Sequence, residues 1–269
     1  MAVSHEIQYF LGANSPTGFY SLYSELLPPE TASVIYILKG GPGCGKSTLM
    51  RQVAQQAAQA GETVEYILCS ADPDSLDAVV LPRLGAALVD GTAPHVVEPK
   101  YPGAVEQYVN LGDCYDRAGL RAIRGEILTC MDGYKEHYQR AYRCLDAAAE
   151  IQTDVRAMLA TPALEEKLAA RAHGILSREL KPKRSAPSGR VKQRFLDAVS
   201  HKGLITLFQT ACAQCTRIYE LSDSYGLAHL LLTHLLACGV MGGYDVVACP
   251  DPMAPDRLSH LLVPEVGLA

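Results

Sequence analysis

No stretch of this sequence stays apolar long enough to cross a bilayer. The most apolar run, Leu227 to Met241, is too short and carries His229 and His234. It reads as a buried helix. The start, Met1-Ala2-Val3-Ser4-His5-Glu6, lacks a basic segment followed by an apolar one, so no signal peptide is expected there. An excess of positive charge is also missing: the net charge of −5 gives no general attraction to nucleic acid or to an anionic membrane. Nine cysteines, an odd number with no secretory leader, point to reduced thiols and a cytoplasmic location. The guanine-reading pattern N-K-x-D is absent as well.

What is present centres on Val34 to Gly61. Val34-Ile35-Tyr36-Ile37-Leu38 is β-branched and aromatic and predicts a buried strand. Leu49 to Ala60 has helical character and stops at Gly61. Between them, Gly40-Gly41-Pro42-Gly43-Cys44-Gly45-Lys46-Ser47 matches G-x-x-x-x-G-K-[ST] in full, and Thr48 follows. Glycines permit positive φ and leave room for backbone N–H groups to point inward at phosphate oxygens. A helix start adds unpaired donors and a positive dipole end. Lys46 has the reach for β- and γ-phosphates, and the Ser47 hydroxyl suits Mg²⁺. The expected ligands are therefore ATP and Mg²⁺, with ATP favoured over GTP by the missing N-K-x-D.

The second half of such a site needs a carboxylate at the end of another strand. Ala86-Ala87-Leu88-Val89 followed by Asp90-Gly91 supplies one, which makes Asp90 the expected magnesium ligand opposite Ser47. Asp72, Asp74 and Asp77 are the alternatives, in an acidic turn expected to open a helix after the strand Thr63–Leu68. His95 stands in the loop beyond Asp90 as a candidate to sense a γ-phosphate or position water, with Glu98 behind it.

Elsewhere, Ile7–Leu11 reads as a strand, Gly12–Gly18 as a loop and Phe19–Leu27 as a short helix ended by Pro28-Pro29. From about Leu120 to Leu159, Ile127, Met131, Tyr134, Tyr138, Ala141 and Leu145 recur at spacings of three and four. That face is expected to form the core of a helical hairpin, whose second arm starts at Thr161-Pro162 and runs towards Leu180. Arg140 and Arg143 lie on its first arm as candidate charge-stabilising groups or as part of a solvated face. Lys181 to Arg190 is a basic, proline-containing linker without the interleaved aromatics of a nucleic-acid site. Cys212-Ala213-Gln214-Cys215 has no partner pair, and a helical face explains it as well as zinc does.

Beyond the linker the chain begins again, at an offset of roughly 183 residues. Phe195-Leu196, Ala198, Ser200, Gly203 and Leu207 match Phe10-Leu11, Ala13, Ser15, Gly18 and Leu22. Ile218–Leu221 falls where Ile35–Leu38 did, and Gly243, Val246, Pro264 and Gly267 answer Gly61, Val64, Pro82 and Gly85. In the phosphate-loop position, however, Lys46 becomes His229, Ser47 becomes Leu230 and most glycines are gone. The second copy, which stops short of an Asp90 equivalent, is expected to be a structural or regulatory remnant.

With these residues in view, the chain resembles a bacterial family of tandem P-loop proteins described as predicted ATPases. The resemblance rests on Gly18-Phe19-Tyr20-Ser21, Lys39 to Met50, the segment holding Cys69, Asp72, Ser75 and Asp77, and Val89 to His95. Leu111-Gly112-Asp113 and Ala141-Tyr142-Arg143 extend it. It implies two P-loop units joined by a helical segment, with no assigned substrate. The expected class is α/β: a P-loop NTPase-like three-layer α/β/α sheet over 1–115, a helical hairpin over 116–180, a linker over 181–192, and a degenerate P-loop-like unit over 193–269. The expected function is a magnesium-dependent ATPase coupling nucleotide state to movement, with Lys46, Asp90 and His95 in the chemistry. A nucleotide or small-molecule kinase, or a nucleotide-gated interaction module, are the alternatives. Its partners would be a nucleotide and a protein or small-molecule acceptor, with no membrane and no nucleic acid.

Overall fold

The computed structural model describes residues 6–94, 96–181, 183 and 187–269. The chain is mixed α/β with several sheets. Strand β1 (Glu6–Tyr9) leads into a hairpin of β2 (Gly12–Ser15) and β3 (Gly18–Ser21). Next come β4 (Val34–Lys39), helix α1 (Lys46–Gln59), β5 (Val64–Leu68), β6 (Leu76–Leu81), β7 (Ala86–Asp90) and β8 (Glu106–Asn110). These build a six-stranded sheet in the order β1-β5-β6-β7-β4-β8, in which only β6 runs against its neighbours. The C-terminal ends of β4, β7 and β8 therefore share one edge with the start of β6.

Helices α2 (Arg117–Ala122), α3 (Arg124–Leu159) and α4 (Pro162–Glu179) follow. The chain then repeats its opening order: β9 (Val191–Gln193), the hairpin β10 (Asp197–Ser200) and β11 (Gly203–Thr206), and the short α5 (Phe208–Cys212). After these come α6 (Ala228–Met241), β12 (Val246–Asp251) and β13 (Ala254–Leu262). Strand β12 pairs β9 in parallel and β13 antiparallel, as β5 pairs β1 and β6. Gly85 and Gly267 each close a turn at φ 61° with an N–H donated to Pro82 or Pro264.

The two copies meet residue on counterpart. The Phe10 N–H donates to the Phe195 carbonyl and the Phe195 N–H to the Phe10 carbonyl, both at 2.9 Å. Asn14, from β2, donates through Nδ2 to the Val199 carbonyl of β10 at 2.8 Å. Phe10, Leu11, Phe195, Leu196 and Val247 all lie in one buried cluster with Ile37, Met50 and Val79 of the first sheet. One core thus spans both copies.

Four sequence expectations need correction. Gly12–Gly18 is not a loop throughout, since Gly12–Ser15 forms the buried strand β2. Phe19–Leu27 is not a helix: Gly18, at φ 109°, turns the chain back into β3, and only Tyr23–Glu25 makes a 3-10 turn. No helix follows Asp72–Asp77. There Asp72 accepts the Ser75 N–H in a turn, and Leu76-Asp77-Ala78-Val79-Val80-Leu81 enters the sheet as the fully buried β6. A continuous apolar, β-branched run outweighs the capping signal before it. The stripe along α3 is not a hairpin core either, since none of its described residues is buried. Tyr134, Tyr138 and Tyr142 pack in series with tilted rings, their centroids 4.6 and 5.8 Å apart, and the Tyr142 hydroxyl donates to Asn14 Oδ1. Helix α4 buries Ala172, Ile175 and Leu176, and Leu176 joins a second cluster with Tyr244, Val246 and Val263, against which Leu235 and Leu236 of α6 pack. Periodicity fixes which face is apolar, not what covers it.

A buried ion cluster fastens the two copies. Arg194, 1% exposed, donates to the Glu25 and Leu26 carbonyls and to Glu65 Oε2, while Lys192 pairs with Glu65 Oε1. Burial works to raise the Glu65 pKa, but Lys192 and Arg194 hold it below its ordinary value. Its stabilisation is therefore complete above the unfolded carboxylate pKa and lost as pH falls through the folded one. Glu65→Gln is expected to cost about 3–5 kcal/mol in urea denaturation and to flatten the acid limb of the stability profile. A loss within about 1 kcal/mol, as for an exposed pair, would contradict the cluster's role.

Candidate functional site

Strand β4 delivers the chain to the sheet edge where β7 and β8 also end, which is where ligands of open α/β sheets gather. The loop that follows turns at Gly43 (φ 76°) and Gly45 (φ 92°), conformations that L side chains rarely adopt. At Gly40 a β-carbon would lie 2.5 Å from Cys44 Sγ, so a side chain there would force Cys44 to move. Among the described residues no side chain caps the first turn of α1. Its leading N–H groups are left for an acceptor outside the loop.

Lys46 opens α1 and turns back under the loop, 8% exposed. Its amine donates to the Gly40 carbonyl at 2.6 Å and the Gly41 carbonyl at 3.0 Å, and lies 3.4 Å from Asp90 Oδ2. Asp90 ends β7 directly beside Leu38 of β4, and its Oδ1 accepts both the N–H and the hydroxyl of Thr92. Two residues singled out from sequence, 44 positions apart, thus form one ion pair, with the lysine buried and the aspartate partly so. Ser47, one step along α1, accepts the Leu76 N–H at 3.0 Å, which ties the helix to the start of β6.

The other candidates are engaged elsewhere. Asp77 is buried and accepts the Tyr23 hydroxyl at 2.9 Å. Burial and then the Asp77 charge push that hydroxyl well above the ordinary tyrosine range. Asp74 pairs with Lys202 at the surface, and Asp72 accepts the Asp74 N–H within the turn. Glu98 pairs with Tyr108 and Lys39, whose donation holds its carboxyl below the ordinary value. Arg140 and Arg143 are exposed on α3. The Cys212 thiol is pushed up to about 11, by burial first and then by Cys215, so it is protonated at neutral pH. His95 lies outside the described residues.

Two contributors had no sequence signal of their own. Lys39 donates to the Gly91 carbonyl at 2.7 Å and so pins the segment after Asp90 to β4. Tyr115, beyond β8, accepts the Gly41 N–H on its hydroxyl. Only a residue's position at the edge of a folded sheet reveals either role.

A family model described as Nephrocystin 3, N-terminal, matches residues 21–175, more than half of the chain. The chain belongs to the Nephrocystin 3, N-terminal family. The match takes in β4, the loop, α1, Asp90, Tyr115 and most of α4. No curated protein and no solved structure matches the chain.

The second copy's loop lies outside the Nephrocystin 3, N-terminal match, and it is arranged differently. Asp223 accepts the Tyr225 N–H on Oδ1 at 3.1 Å and the Ala228 N–H on Oδ2 at 2.6 Å, at the start of α6. Burial opposes ionisation there, but the backbone donors of residues 225–228 hold the Asp223 carboxyl below its usual range. His229, in the place of Lys46, faces its own Gly226 carbonyl at 3.0 Å. A fixed carboxylate thus sits where the first loop leaves its donors open. Asp223→Ala is expected to cost about 0.5–2 kcal/mol in thermal denaturation, the usual worth of a helix cap, with Asp223→Asn retaining most of it. Because the folded pKa is depressed, the contribution fades as pH falls through it. Equal stability of the alanine variant and the parent at neutral pH would show that the carboxylate caps nothing.

Proposed function

We propose that the chain is an ATP-binding P-loop protein of the three-layer α/β/α kind, akin to the tandem P-loop predicted ATPases it resembles, and that it hydrolyses Mg·ATP at the first loop. The observation that carries this reading is the buried Lys46 amine, held between loop carbonyls and Asp90 in a loop that turns through glycines at positive φ. A lysine this buried needs acceptors, and phosphate oxygens replace carbonyl oxygens at no loss of charge pairing. The residues present fit the nucleotide and its metal. Loop N–H groups and Lys46 would take the phosphates, and Ser47 and Asp90 would hold Mg²⁺. When bound, the metal supplies neutralisation of charge developing on the phosphoryl oxygens.

The chain's own contributions follow from their positions. Asp90, braced by Thr92, sets the depth of Lys46. Lys39 keeps the segment after Asp90 close to β4. Tyr115, on the Gly41 N–H, competes for a donor that the nucleotide would use. A nucleotide-gated interaction module is the second reading, favoured by the apolar residues Ile127, Leu128 and Met131 that α3 leaves exposed. A kinase would additionally require an acceptor.

Calorimetric titration with Mg·ATP, followed by turnover assays, tests these readings. Lys46→Ala is expected to weaken binding by roughly a hundredfold or more, because it removes charge-assisted bonds worth about 1.5–3 kcal/mol each. Tyr115→Phe is expected to tighten it about fivefold, since it frees one donor. Phosphate release without an acceptor supports the ATPase, acceptor-dependent ADP formation the kinase, and binding without turnover the module. Unchanged affinity in a folded Lys46→Ala protein would overturn the site.

A further inference from the structure

A cavity of about 490 Å³ lies between α4, α6 and β13, within the range of small-molecule sites. Much of its wall is apolar: Ile175 and Leu176 of α4, Leu232 and Leu235 of α6, Leu258 and Leu261 of β13. It is far in sequence from the Lys46 loop and shares no lining residue with it.

Two guanidinium groups line the same cavity. Arg156 reaches it from α3 and packs against Gly226, where a β-carbon would lie 2.4 Å from Arg156 Nε. Its Nη2 donates to Gln152, but its buried Nε has no partner among the described residues. Arg257, on β13, approaches Asp256 through Nε at 3.9 Å, and its buried Nη1 has no partner among the described residues either. The acids that line the cavity are placed otherwise. Asp223 is committed to the start of α6, and Asp251 Oδ1 accepts the Met253 N–H. Glu220 is exposed. A buried cationic donor without an acceptor is costly and is rarely left so.

We propose that this cavity binds a small amphiphile whose acidic head accepts from Arg156 and Arg257 and whose apolar tail lies between α4, α6 and β13. Apolar walls favour the tail by burial, and the guanidinium planes suit a carboxylate or a phosphate. The site is independent of the nucleotide loop.

The test is calorimetric titration of the full chain with dodecanoate, dodecyl phosphate and dodecan-1-ol, each below its aggregation limit. At least one of the two acids should bind, one molecule per chain, with the alcohol weaker by about tenfold or more, the worth of one charge-assisted bond. Whichever acid binds more tightly identifies the head group. Arg257→Gln should remove most of the difference between acid and alcohol, and Leu235→Trp, which fills the cavity, should abolish binding of all three. Lys46→Ala should leave all three unchanged. Equal affinity for acid and alcohol, or binding that survives both cavity variants, would overturn the proposal. So would no binding by any probe, or capture of a peptide with the sequence of Ala86–Asp90 in their place, which would make the cavity a slot for a strand.

Discussion

The Lys46 amine is buried under the loop it belongs to, and the surrounding architecture follows from keeping it there. An ammonium this far from water must be met by oxygen atoms. Two come from the loop's own carbonyls and one from Asp90 at the end of the neighbouring parallel strand. That geometry places β4 and β7 adjacent and parallel, and the loop over the amine turns through Gly43 and Gly45 at positive φ, which favours glycine. Ser47 then fixes α1 to β6, so helix, loop and three strands share one set of constraints.

The two copies show how the same plan yields different sites. Their cores merge through reciprocal bonds between Phe10 and Phe195, and the Arg194–Glu65–Lys192 cluster locks the same junction. At the helix starts they diverge. Among the described residues the first has no side chain capping its donors, whereas in the second Asp223 accepts the Ala228 N–H. An acidic side chain at that point supplies the negative charge that a helix start favours.

Much of this was legible in the sequence, though unevenly. The strand, glycine-rich turn and helix around Lys46 and Ser47 were readable, because each carries its own local signal. Asp90 followed from an apolar strand ending in an acid. The internal repeat was visible as ordered matches. By contrast, β6 was hidden behind aspartates that suit either a helix cap or a turn. The fate of the α3 stripe depended on contacts that no local pattern records. Lys39, Tyr115 and the Arg194 cluster act through partners 52, 74 and 129 positions away, and nothing near them in the chain announces it.

The stoichiometry of nucleotide binding tests the central claim most directly. Equilibrium dialysis against labelled Mg·ATP should give one molecule per chain, with the same value in a His229→Ala protein. Two molecules per chain, or occupancy that falls when His229 rather than Lys46 is replaced, would contradict the account.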